Sequence, residues 1–174
     1  MKSINSNSVS IAGEFAVLSQ LALRGYDANM TLGHTKSVDI LISDPKTGKL
    51  YQLEVKTNLK NDRSKPAVSK IHGKIVSEWI MNKKNEAIDI STLFYCFVNI
   101  SKDTNLFKFY IIPSKVVARY IREEHQLWLD EKKKEGVKVK DGEMRTFRIG
   151  IKGEKYLLKT PTIEEYENNW EFKS

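Results

Sequence analysis

The 174-residue chain has one cysteine, Cys96, and three histidines. One cysteine excludes an intramolecular disulfide, and so few Cys and His exclude a Cys-rich zinc ribbon or finger. Long apolar runs are missing too. The longest, Leu93 to Val98, is far too short to span a bilayer, so no membrane contact is expected. The opening residues Met1 to Asn7 contain no apolar signal core, and a cytoplasmic location is the expectation. Also absent are a phosphate-loop Gly-x4-Gly-Lys-Ser/Thr, a Gly-x-Gly-x-x-Gly, a His-Glu-x-x-His and a Gly-x-Ser-x-Gly. These absences argue against nucleotide hydrolysis, dinucleotide cofactors, zincins and the usual serine hydrolases.

What is present is positive charge and enough apolar residue for a core. Hydrophobic residues make up 40% of the chain, which suits a folded domain better than a disordered tail. Lys and Arg total 29 against 22 Asp and Glu, a net +7. The excess is local. From Lys56 to Lys84 there are eight basic residues against Asp62 and Glu78, leaving 21 basic and 20 acidic elsewhere. A clustered patch is the electrostatic footprint of a nucleic-acid binder, and equally of a solvated loop and helix face. Within it, Lys60, Arg63, Lys65, Lys70 and Lys74 are the candidate phosphate contacts.

The pattern predicts a first helix over residues 9 to 24, capped by Ser8 or Ser10 and stopped at Gly25. Strands follow at Tyr26 to His34, Val38 to Ser43 and Leu50 to Thr57, the last two joined by the turn sequence Asp44-Pro45-Lys46-Thr47-Gly48-Lys49. Ser69 to Lys84 reads as a helix with Ile71, Ile75, Trp79 and Ile80 on one side. Leu93 to Ser101 and Phe107 to Ile112 read as a strand pair, the first lacking alternation as a strand buried on both faces would. A second long helix runs from Ser114 to about Glu135 and ends at Gly136. A last hairpin, Met144 to Ile151 with Lys155 to Leu158, precedes a short helix opened by the capping box Thr162-Ile163-Glu164-Glu165. The fold class is α/β or mixed α+β: one domain over 1–174, a central mixed sheet flanked by helices. The motif-bearing core covers about 8–112, and a C-terminal helix, hairpin and short helix cover about 113–174.

The chemistry concentrates on the Val38–Thr57 hairpin. A turn centred between Lys46 and Thr47 sets Asp39 opposite Glu54, with Gln52, Leu41 and Lys56 on the same face. The other face carries Val38, Ile40, Ile42, Tyr51, Leu53 and Val55. Opposed like charges on neighbouring strands are destabilising, so something positive belongs between them. A divalent cation on two carboxylates plus carbonyl and water oxygens answers that need, and so does Lys56 as a salt link without metal. The first helix adds a third acid. At about 100° per residue, Leu18, Leu21, Ile11 and Val17 all fall within about 60° of Glu14, which puts this carboxylate in the apolar stripe. Such a group costs several kcal/mol unless it is paired or metal-bound.

Gly13-Glu14-Phe15 on the helix, Val38-Asp39-Ile40 on one strand and Gln52-Leu53-Glu54-Val55-Lys56 on the next together resemble the PD-(D/E)XK nuclease superfamily, the restriction-endonuclease-like fold. The motifs cover residues 8 to 57; no Pro precedes Asp39, where the family name would place one. The resemblance implies a metal-dependent endodeoxyribonuclease. Asp39, Glu54 and the Val55 carbonyl would hold Mg²⁺, with Mn²⁺ as its substitute. Lys56 would position or activate the water, and Glu14 would be an accessory ligand. Double-stranded or branched DNA is then the expected substrate, cut in restriction, defence or junction resolution, with a homodimer as the assembly that two-strand cutting calls for. The alternative is a nuclease-like fold that binds nucleic acid or protein without cutting. His34 and Ser37 are expected in a loop, His72 exposed, His125 on the surface or in packing, and Cys96 in the core.

Overall fold

A computed structural model describes residues 4–31, 38–61 and 65–173. In chain order its elements are α1 (Ser6–Leu23), β1 (Asp27–Met30), β2 (Ile40–Ser43), β3 (Leu50–Lys60), β4 (Ala67–Ser69), β5 (Gly73–Ile75), β6 (Ser77–Asn82), a 3-10 turn (Lys83–Ala87), β7 (Leu93–Ser101), β8 (Phe107–Pro113), α2 (Ser114–Lys134), β9 (Met144–Ile149) and α3 (Ile163–Tyr166). The architecture is mixed α+β. The chain forms two compact units: Met1–Asp62, Ile90–Pro113 and Glu167–Ser174 make the first, Arg63–Asp89 and Ser114–Tyr166 the second.

The first unit is built on a five-stranded sheet in the order β1-β2-β3-β7-β8. Only β3 and β7 run parallel; the other neighbours are antiparallel. The interior strand β7, which opens Leu93-Phe94-Tyr95-Cys96-Phe97-Val98, is almost wholly buried, as its unbroken apolar run requires. The β2–β3 register pairs Ile40 with Leu53, Leu41 with Gln52 and Ile42 with Tyr51, as the turn sequence predicts. Ile40, Ile42, Leu53 and Val55 face a core shared with Val17 and Leu21 of α1 and with Trp170 and Phe172 from the chain's end. Phe172 stacks on Tyr51 at 5.0 Å, a tie that local sequence pattern does not announce.

Helix α1 begins earlier than predicted. Its cap is Asn5, whose side chain accepts the Ser8 N–H at 2.8 Å, not Ser8 or Ser10. Gly25, at φ +80°, ends it as expected. β1 is shorter than the Tyr26–His34 strand predicted, and His34 lies outside the described residues. Gly13 meets β3 without a side chain in between: a Cβ there would lie 1.9 Å from Thr57 Oγ1.

The second unit overturns two predicted elements. Ser69 to Lys84 is not a helix. It forms the β4–β5 hairpin, then β6 and the 3-10 turn. Gly73, at φ +79°, breaks any helix there, and Ser77, Trp79 and Met81 are buried while Ile80 is exposed, a period of two instead of 3.6. The last hairpin is also absent. β9 pairs antiparallel with β6, Trp79 opposite Phe147, and residues 155–158 form no strand. Local turn signals cannot report a partner some seventy residues away in the chain. Helix α2 matches its prediction, and in α3 the Thr162 N–H and hydroxyl both reach Glu165 Oε2, at 3.2 and 3.1 Å.

A buried polar network fastens this unit. His72, expected at the surface, is buried with Nε2 3.1 Å from Glu124 Oε1 on α2. Arg148 of β9 pairs with the same Glu124 oxygen. Glu124 alone would favour the imidazolium, but Arg148 cancels its charge. Burial first, and Arg148 second, push the His72 imidazole down to about 4.

Two consequences are measurable. Gly13→Ala is expected to destabilise the fold by about 1–3 kcal/mol in urea unfolding, because overpacking against Thr57 outweighs the helix-propensity gain of about 1 kcal/mol. A depressed histidine pKa means the unfolded chain binds the extra proton. Stability should therefore fall as pH drops from about 6.5 to about 4. In His72→Gln, which still offers a donor to Glu124, that part of the slope should vanish.

Candidate active site on the first hairpin

Asp39 sits just ahead of β2, held on three sides. Its N–H donates to the Leu53 carbonyl at 2.8 Å, and its carbonyl accepts from the Thr31 N–H at 2.9 Å. Its carboxylate Oδ2 accepts the Val55 N–H at 2.7 Å. The side chain thus takes over a backbone donor at the frayed end of the β2–β3 ladder and is pinned against β3. Glu54 and Lys56 follow two apart on one face of β3, as strand alternation demands. Lys56 Nζ lies 2.6 Å from Glu54 Oε1. In the parallel ladder their partners on β7 are Tyr95 and Phe97, two buried rings stacked at 5.8 Å.

Glu54 is the unusual member. It is 5% exposed, and its Oε2 is buried with no hydrogen-bond partner. A carboxylate oxygen hidden from water and unpartnered is costly, of the order of 1–3 kcal/mol or more for a charged group. Lys56, with its side chain 34% exposed, satisfies only the other oxygen.

Glu14 is placed differently from the helical-wheel expectation. Gly13, Val17 and Leu21 form the buried line of α1, with Glu14 half-buried beside it and Ile11 exposed. The line runs through a glycine, which carries no hydropathy signal, so the wheel centred too far round. Glu14 Oε1 accepts from Ser10 Oγ at 3.1 Å, an i, i+4 contact. Its charge still reaches the hairpin. Burial raises the Asp39 carboxyl above the usual carboxylate range; the Val55 hydrogen bond opposes this, Glu14 raises it further, Lys56 lowers it and Glu54 raises it again. Glu14, Glu54 and Lys56 therefore each lie within electrostatic reach of Asp39.

Among the described residues, no group of three or more His, Cys, Asp or Glu side chains is gathered as a metal cage. The donor set is two strand carboxylates with backbone oxygens, which suits a hard ion that keeps several waters. The unpartnered Glu54 Oε2 fits such an ion.

The basic candidates separate. Lys60 ends β3 in the first unit. Lys65 and Lys70 are exposed in the second unit, where Lys74 pairs with Glu154 at 2.7 Å. Arg63 and the predicted loop residues His34 and Ser37 lie outside the described residues. His125 contacts Asp141 at 2.9 Å and stacks on Trp128, a packing role. Cys96 is fully buried, and burial pushes its thiol pKa up.

No family model matches the chain, and no curated protein matches it. Among solved structures it is similar to one described as a bacterial homing endonuclease, I-Ssp6803I, with a TM-score of 0.49 and 14% identity over 95% of this chain and 88% of that one. At that identity and overlap the likeness assigns no function by itself.

The ion pair predicts an asymmetry. Lys56→Met strands the buried Glu54 charge and should destabilise by about 2–3 kcal/mol in EDTA. Glu54→Gln removes the charge itself and should cost clearly less. Equal losses in urea unfolding would mean that Glu54 is not a charge in need of a partner.

Proposed function

We propose that the chain is a Mg²⁺-dependent endonuclease that hydrolyses phosphodiester bonds in DNA, with a restriction-endonuclease-like core in its first unit. The observation that carries this reading is the Glu54 carboxylate, buried with one oxygen unpartnered beside Asp39 and Lys56. A fold under no functional constraint has little reason to bring like charges together on a strand pair and leave one unsatisfied.

Asp39, Glu54 and the Val55 carbonyl would hold the cation, with Glu14 as accessory ligand. When bound, Mg²⁺ supplies charge for the phosphate and lowers the pKa of its water. The chain's residues do the rest. Asp39, tied to the Val55 N–H, holds its free oxygen in a set direction. Lys56 releases Glu54 Oε1, places its ammonium beside the scissile phosphate and orients the attacking water in line with the departing oxygen. Ser10 steadies Glu14 through its hydroxyl.

A second reading rests on the same ion pair. Lys56 already neutralises one oxygen of Glu54, and among the described residues no third acid completes a cage, which would suit a module that binds DNA without cutting it. Restriction-type and junction-resolving cutting differ only in the DNA that is recognised, so the test presents both classes of substrate.

Supercoiled plasmid, linear duplex and branched DNA, incubated with Mg²⁺, Mn²⁺ or EDTA, separate these readings. Cleavage should require the divalent ion and fall by about 10²–10⁴-fold in Asp39→Ala and Lys56→Ala. Mg²⁺ or Mn²⁺ should also raise the Tm of the wild type through ligand linkage, but not that of Asp39→Asn. Cleavage surviving in both alanine variants would sink the site. Salt-sensitive DNA binding without cleavage would favour the binding module.

A further inference from the structure

Net charge is divided unevenly between the two units. The second holds 19 basic and 13 acidic residues, a net +6, and the first holds 10 against 9, a net +1. Part of this excess is gathered at one place by Tyr156. Its hydroxyl donates to the Lys74 carbonyl at 2.7 Å and accepts from the Ile151 N–H at 2.8 Å. Its ring fills the space beside two glycines: a Cβ on Gly73 would lie 2.9 Å from Tyr156 Cδ1, and one on Gly150 would lie 2.2 Å from its hydroxyl oxygen. Tyr156 therefore rivets the β4–β5 hairpin to the loop over residues 150–160. Lys74 completes the join by pairing with Glu154 at 2.7 Å.

Both of the parts that the rivet joins carry exposed cations. On the loop, Lys152, Lys155 and Lys159 are exposed, and on the hairpin so are Lys70 and Lys74. Glu154 is committed to Lys74, and Glu164 accepts the Lys152 N–H. Glu165 also lines the loop beside Lys152 and Lys159, so five cations face three acids there. His72 and its buried contact to Glu124 hold the hairpin's turn from beneath, which keeps the surface in one shape.

We infer that this riveted hairpin and loop form a docking surface for the phosphate backbone of duplex DNA, with Lys152, Lys155 and Lys159 as its principal contacts. The inference rests on the nuclease reading for its choice of partner. It differs from the contacts the sequence nominates, since Lys74 is spent on Glu154 and the loop lysines lie far from the Lys56–Lys84 cluster in the chain. Exposed cations on a support tied down by Tyr156 suit a polyanion such as the phosphate backbone. They position the duplex and carry no base specificity.

Fluorescence anisotropy against a short duplex, repeated across salt concentrations, tests this with the whole protein in EDTA. Each lost phosphate contact should flatten the slope of log K against log salt by about 0.9. The variant Lys152→Ala/Lys155→Ala/Lys159→Ala should therefore lower the slope by about 2–3 and weaken binding at least tenfold near 0.1 M salt, for any duplex sequence. Lys46→Ala/Lys49→Ala/Lys108→Ala removes the same charge from exposed positions of the first unit and should leave the slope within about 1 of the wild type. Equal slopes in the two triple variants would overturn the inference, as would wild-type binding to anionic vesicles but not to duplex. Failure of the wild type to cleave in Mg²⁺, with the slope difference intact, would instead defeat the nuclease reading and leave this surface standing.

Discussion

The register of β2 against β3 is the constraint on which the site depends. With Ile40 opposite Leu53, the apolar residues of both strands enter the core and the charged ones share the other face. A slip of one residue would send Glu54 and Lys56 inward and expose Leu53 and Val55. The turn Asp44 to Lys49 holds that register locally: Asp44 accepts from the Lys46 N–H and the Thr47 hydroxyl. The core face holds it globally. Asp39 then extends the pairing beyond the ladder by accepting the Val55 N–H through its side chain. One carboxylate is thereby both a structural ligand of β3 and a neighbour of Glu54.

Electrostatic conflict is concentrated there. Two further acids and one lysine act on Asp39, which is pushed towards its neutral form chiefly by burial, with Glu14 and Glu54 adding to it. The stability cost of such an arrangement is small beside the burial of Ile40, Ile42, Leu53, Val17 and Leu21 in the adjoining core. The core can therefore sustain a strained charged face. Gly13 matters for the same reason: without a side chain it lets α1 approach β3 at Thr57, next to Lys56, and brings Glu14 towards the hairpin.

The second unit meets its polar groups differently. Glu124 and His72 are buried, and Arg148 supplies the countercharge; Arg145, buried as well, pairs with Glu86 and Asp141. Buried ion networks contribute less to stability than to a single defined arrangement of the elements they link. Here they tie the β4–β5 hairpin and β9 to α2 and the 3-10 turn, so a small unit with two short two-stranded sheets keeps one shape.

Much was legible from sequence where the signal is local. Gly25 and Gly136 stop helices, the turn at residues 44–49 sets the hairpin register, and the apolar run of β7 marks a strand buried on both faces. From these alone, Asp39, Glu54 and Lys56 could be placed on one face. The apolar spacing of Ser69 to Lys84 fits either period, and pairing with β9, far along the chain, selects the strand. Glu14 lies shallower than its helical wheel implies because α1 leans on a glycine, which hydropathy cannot see. His72 and the Tyr156 rivet were invisible because burial and a shared partner belong to distant segments. Periodicity and turn chemistry are properties of neighbouring residues, so they settle the first hairpin's faces and register and the ends of the long helices. Which charge finds a partner, and which carboxylate oxygen goes without one, depends on chain segments that only tertiary packing brings together.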